Sequence, residues 1–107
     1  MASRVERFGN RPISDGSSVN NAGEIYISDL GNNAIGIVNP RGSYRQLFQD
    51  DDLIRWPDAF SFGPDNWMYV AVNQLHRGPI LNAGVDETEP PFLIIRFRDE
   101  AGGVIGR

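Results

Sequence analysis

The stretch "IRWPDAFSFGPDNWMYVAVNQLHR", residues 54–77, decides how this chain is read. Its centre, "GPDN" at 63–66, is a turn signal between two aromatic-rich runs, the pattern of an antiparallel hairpin. Side chains alternate along a strand, so Trp67, Tyr69 and Ala71 share one face and Met68, Val70 and Val72 the other. Both faces are apolar. A sheet of that kind needs a packed layer on each side, which places Trp67 and Tyr69 in contact with neighbouring structure rather than in catalysis.

An internal repeat extends this reading. "DGSSVNNAGEIYIS" starts at Asp15 and "DAFSFGPDNWMYVA" at Asp58, 43 residues later. Asp15 aligns with Asp58, Ser18 with Ser61, Tyr26 with Tyr69 and Ile27 with Val70, and the turns Ala22-Gly23 and Asp65-Asn66 coincide. Turn signals recur along the whole chain, with Ile-, Val-, Tyr- and Phe-rich runs between them. These predict strands near 15–20, 24–29, 34–38, 44–48, 58–63, 67–73 and 92–98. Residues 49–55 could form one helical turn and are read as loop. A repeat of about forty to fifty residues built from four strands is the signature of a propeller blade. The expected fold is therefore all-β: a segment 1–14, a four-stranded antiparallel blade at 15–57, and a second at 58–107 carrying a long loop at 74–91. A self-contained sandwich of about seven strands fits the same strand count. Two blades alone leave two apolar faces bare, so the chain reads as part of a larger propeller, needing further blades or self-association.

Composition narrows the partners. The net charge is −4, and all ten basic residues are arginines with no basic stripe, so nucleic acid is not an expected partner. No apolar run approaches the length of a membrane span. The absence of cysteine excludes disulfides, thiolate metal sites and a cysteine nucleophile. The N-terminal "MASRVERFGNRP" has no apolar stretch of the secretory type. There is no P-loop, dinucleotide fingerprint, H-E-x-x-H, G-x-S-x-G or EF-hand pattern. Whether the chain is an enzyme stays open.

Hairpin arithmetic supplies the candidate site. A two-residue turn at Asp65-Asn66 sets Asp58 opposite Asn73, and the same turn in the first repeat sets Asp15 opposite Leu30. Strand starts and strand ends of successive inner hairpins lie at one mouth of a propeller channel, which gathers Asp15, Asp58 and Asn73. Asp58 and Asn73 then read as a ligand pair, a carboxylate for a cation or amine and an amide that both donates and accepts. The plainer reading is a structural carboxylate accepting backbone N–H groups. His76, the sole histidine, stands at the head of the 74–91 loop as a third ligand-binding candidate; a lone loop histidine is more often solvated. Asp86, Glu87 and Glu89 read as a solvated face, as do Asp50, Asp51 and Asp52.

The run "DGSSVNNAGEIYISDLGNNAIGIVNP", followed by "WPDAFSFGPDNWMYVAVNQLHR" and "PPFLIIRF", resembles the C-terminal third of the major royal jelly/Yellow protein family, over about residues 12–98. That resemblance implies a six-bladed propeller, an extracellular or periplasmic location, and a small polar or amine-like ligand in the central cavity. The "SDG…AGEIYI" portion is also similar to the SMP-30/gluconolactonase group. That similarity implies a metal-dependent lactonase or isomerase, with Asp15 at the position of a divalent-cation ligand and Ca²⁺ as a candidate ion. A non-catalytic interaction scaffold is the third reading.

Overall fold

The structure, a computed structural model, describes residues 5–74, 82–86 and 93–107. Seven strands appear among them: β1 (Ser17–Val19), β2 (Ile25–Asp29), β3 (Ala34–Val38), β4 (Tyr44–Gln49), β5 (Pro57–Phe62), β6 (Trp67–Val72) and β7 (Leu93–Arg98). Each lies within about two residues of its expected position. They form two antiparallel sheets, one ordered β1-β2-β3-β4 and one ordered β5-β6-β7. The second sheet thus has three strands among the described residues where four were expected. Residues 49–55 hold one tight turn, in which the Ile54 N–H donates to the Asp50 carbonyl.

The hairpin turns correct the expected register. Both have three loop residues rather than two: Asn20 N–H donates to Glu24 O, and Gly63 N–H to Trp67 O, closing 21–23 and 64–66. Ser17 pairs with Ile27, and Phe60 pairs with Val70. The extra residue is tolerated because Gly23, Asp65 and Asn66 take positive φ, which glycine, asparagine and aspartate reach most cheaply. Since both turns lengthen equally, the 43-residue correspondence between the hairpins survives.

The two sheets pack face to face. Tyr26, Ile35 and Ile37 of the first meet Phe60, Phe62, Met68 and Val70 of the second, with Ile54 closing one side. Tyr26 lies at the centre, its ring 5.3 Å from Phe97, 6.4 Å from Phe62 and 6.5 Å from Phe60. The repeat shows how the sheets are related. Tyr26 faces the second sheet, whereas its equivalent Tyr69 faces away from the first. The second sheet contacts Tyr26 through Phe60, Phe62, Met68 and Val70, whose equivalents Ser17, Val19, Ile25 and Ile27 lie on the far side of the first sheet. The sheets are therefore stacked in the same sense, not related face to face by a two-fold axis.

Two outer faces result. On the first sheet, residues 8–16 run across Ile25, Ile27 and Val38, leaving a cavity of about 310 Å³. Gly9 and Gly42 meet there so closely that a Cβ on Gly9 would sit 2.4 Å from the Gly42 carbonyl oxygen. On the second sheet, Trp67 and Tyr69 are half-buried, and no strand among the described residues covers them. Arginines cover them instead: the Arg96 guanidinium lies 4.0 Å and that of Arg98 4.6 Å from the Trp67 ring. Such stacking keeps the charge hydrated while shielding the ring.

The sheets are also latched by a buried carboxylate. Asp99, just past β7, is 6% exposed and Tyr26 4%. The Tyr26 hydroxyl donates to Asp99 Oδ2 at 2.6 Å and the Asn20 amide at 2.9 Å. The backbone N–H groups of Ala101 and Gly102 donate to Asp99 Oδ1 at 2.7 and 3.1 Å. Burial pushes the Asp99 pKa up, but the donors from Tyr26, Asn20, Ala101 and Gly102 outweigh it and leave the carboxyl below its ordinary value of 3.8. The stability it contributes is present above 3.8 and is lost as pH falls through the lowered folded value. Tyr26→Phe removes one charge-assisted donor without emptying the ring site. It is expected to cost about 1.5–3 kcal/mol, read by urea unfolding at pH 7, and to shrink the stability lost on acidification below pH 4. A loss under about 0.5 kcal/mol would show the latch to be dispensable.

Candidate ligand site at the strand starts

The site forms where the entries to the two hairpins touch. Asp15 and Gly16 precede β1, and both of their N–H groups donate to the fully buried Ser28 Oγ on β2, at 2.8 and 3.1 Å. This fixes the direction in which the Asp15 side chain leaves the sheet. Gly16 then passes so close to β5 that a Cβ would lie 1.6 Å from the Asp58 carbonyl oxygen. Only glycine permits this approach, and it brings Asp15 beside Asp58.

Asp58 is aimed by a bulge. Pro57 pairs with Val72 and Ala59 with Ala71, so Asp58 is an extra residue on β5. A bulge bends its strand and re-aims the extra side chain. Regular pairing in the observed register would set Asp58 against Val72. Displaced by the bulge, its carboxylate instead accepts a hydrogen bond from the Asn73 amide. The expected juxtaposition of Asp58 and Asn73 is present, but the bulge produces it, not a two-residue turn.

The Asp15 and Asp58 carboxyl groups lie beside each other. The Asp58 pKa is raised, first by desolvation, then by the hydrogen bond with Asp15, then by that group's charge. Two carboxylates this close do not both ionise freely, and one retains its proton to higher pH. Trp56, which the sequence reading did not single out, completes the cluster: its indole N–H donates to Asp15 Oδ2 at 2.8 Å. It sits at φ 56°, immediately before Pro57. A residue before proline ordinarily adopts extended backbone, and a bulky residue at positive φ costs on the order of 1–3 kcal/mol. Asn73 N–H to Trp56 O and Gln74 N–H to Arg55 O, both 3.1 Å, hold the strained backbone in place. The one signal in the sequence was the W-P-D junction, which fixes φ at Pro57 and favours extended backbone at Trp56, the opposite of the positive φ observed.

Asp15, Asp58 and Asn73 thus lie together, partly open to solvent. Leu30, the residue expected opposite Asp15, instead donates its N–H to the Ile13 carbonyl. His76, Glu87 and Glu89 lie outside the described residues. Among the described residues no group of three acidic, histidine or cysteine side chains is placed to hold a metal ion. Two carboxylates, each already accepting from a neighbour, and one amide oxygen fall short of the six to eight oxygens that Ca²⁺ takes. The cluster does not by itself fit a resident divalent cation.

At the level these observations define, the chain is an all-β protein of two stacked antiparallel sheets with a paired-carboxylate cluster at one end. No family model matches it, and no curated protein matches it.

The raised Asp58 pKa has a definite stability signature. In the window between 3.8 and the raised folded value, the folded chain binds more protons than the unfolded chain, so stability falls as pH rises. Asp58→Asn removes this slope without removing the side chain. The variant is expected to be more stable than the parent at pH 7 and to converge with it toward pH 4, measured by urea midpoints across that range. A variant equally destabilised at every pH would mean that the Asp58 side chain supports the fold independently of its ionisation, and would overturn the expected slope.

Proposed function

We propose that this chain is a portion of a propeller that binds a small cationic or amine-like ligand at the Asp15–Asp58–Asn73 cluster. The observation that carries the reading is the pair of carboxyl groups held against each other by the Gly16 contact and the Asp58 bulge. An ammonium group placed between them replaces a shared proton and relieves the repulsion, while the Asn73 amide supplies an oriented polar contact. Groups held on rigid strands lose little freedom when they bind.

The propeller reading rests on the same-sense stacking of repeat-equivalent sheets, which a ring of blades requires and a two-fold sandwich lacks. It agrees with the resemblance to the royal jelly/Yellow family in "WPDAFSFGPDNWMYVAVNQLHR". On this reading the open face at Trp67 and Tyr69 meets a further blade, and an extracellular or periplasmic location follows from the resemblance. The lactonase-like alternative needs oxygen ligands that further blades would have to provide.

The test is calorimetric titration of a panel of primary and quaternary amines, and separately of Ca²⁺. Asp58→Ala and Asn73→Ala are each expected to weaken amine binding by about 1.5–3 kcal/mol, roughly ten- to a hundredfold. Because the ligand competes with the shared proton, affinity is expected to rise as pH increases from about 4 to 7. Parent-like binding by both variants, with a lowered melting temperature, would assign the cluster to structure. Tight Ca²⁺ binding abolished by Asp15→Ala would move the metal-dependent alternative ahead.

A further inference from the structure

We propose that the free edge of β7 docks an extended segment of another protein chain, one that alternates apolar and acidic residues. β7 pairs with β6 along one edge in unbroken register from Leu93 to Arg98. Its other edge has no strand beside it among the described residues, although β4 fills the corresponding position in the first sheet. An edge of this kind presents a row of N–H and C=O groups on which a further strand can form. β7 contains no proline or bulge that would obstruct pairing.

The surroundings specify the occupant. On one side of the edge lies a largely apolar groove of about 600 Å³ between β4 and β7, lined by Leu47, Phe48, Leu53, Ile54, Ile95 and Phe97, with Gln49, Asp50 and Arg96 also contributing to its walls. A bulge on β4 contributes to it: Ile35 pairs with Phe48 and Gly36 with Gln46, leaving Leu47 as the extra residue. Phe48 and Leu53 stay 43% and 51% exposed, so the groove is unfilled by this chain's described residues. On the other side stand Arg96 and Arg98, stacked on Trp67. Among the described residues the one ion pair is Arg55 with Asp52, so neither Arg96 nor Arg98 is paired with a described carboxylate. A strand laid beside β7 sends alternate side chains to these two sides. The groove side calls for apolar residues and the arginine side for acidic ones, since opposite charges on neighbouring strands attract. A second β7 would instead bring arginine against arginine, which disfavours pairing between copies through this edge.

The probe is an acetylated synthetic peptide alternating valine with glutamate, titrated into the intact chain by fluorescence anisotropy. It is expected to bind. Reversing both charges, in Arg96→Glu with Arg98→Glu, is expected to weaken it about tenfold and to admit the lysine-for-glutamate peptide. Two further peptides keep the test independent of how that variant folds. N-methylation of the alternate amides on one peptide edge is expected to abolish binding to the unaltered chain, and N-methylation of the other edge to spare it. Failure of the acidic peptide to bind, equal binding of both methylated peptides, or equal binding of the acidic and basic peptides would each overturn the proposal.

Discussion

The buried carboxylate of Asp99 is the constraint around which the rest is arranged. A charge removed from water is tolerated only when its lone pairs are filled. Here four donors fill them, from Tyr26, Asn20, Ala101 and Gly102. The donors come from different parts of the chain: a strand of the first sheet, a hairpin turn, and the segment after β7. Meeting that demand brings the segment after β7 against the first hairpin, where Asn21 N–H also donates to the Gly102 carbonyl. Asp99 N–H donates in turn to Asn66 O in the second hairpin turn. One residue thus ties both turns together and orients the Tyr26 ring among Phe60, Phe62 and Phe97.

Same-sense stacking follows from sequence differences that a repeat alignment hides. Phe60 and Phe62 in the second hairpin stand where the first has Ser17 and Val19. The larger pair fills the space beside Tyr26, while the smaller pair stays exposed on the other side of the first sheet. Tyr69 keeps the aromatic ring of Tyr26 but lacks a partner like Asp99; its hydroxyl accepts from Arg96 at 3.3 Å. The arginines over Trp67 solve locally the problem of an aromatic face without a covering sheet.

The carboxylate cluster uses the opposite economy from the latch. Asp99 is buried, fully provided with donors and shifted down. Asp58 is partly exposed, placed against another acid and shifted up. The first arrangement stabilises the fold, whereas the second sets one acid against another at a partly exposed surface. Glycine at position 16 and the bulge at Asp58 together bring the two acids beside each other.

The sequence by itself determined the strands, because alternation and turn residues are local signals. It determined which residues of "WMYVAV" share a face, for the same reason. It anticipated Asp15, Asp58 and Asn73 at one end, but through two-residue turns that the structure replaces with three-residue turns and a bulge at Asp58. Register was not legible: two-residue and three-residue turns differ in the backbone angles at Gly23, Asp65 and Asn66, and residue identity permits either. Tertiary structure alone decided the bulge that re-aims Asp58, the strained Trp56 that reaches Asp15, and the burial of Asp99. Each of these depends on contacts across tens of residues, where a side chain's role is fixed by what packs against it and not by its neighbours in the chain.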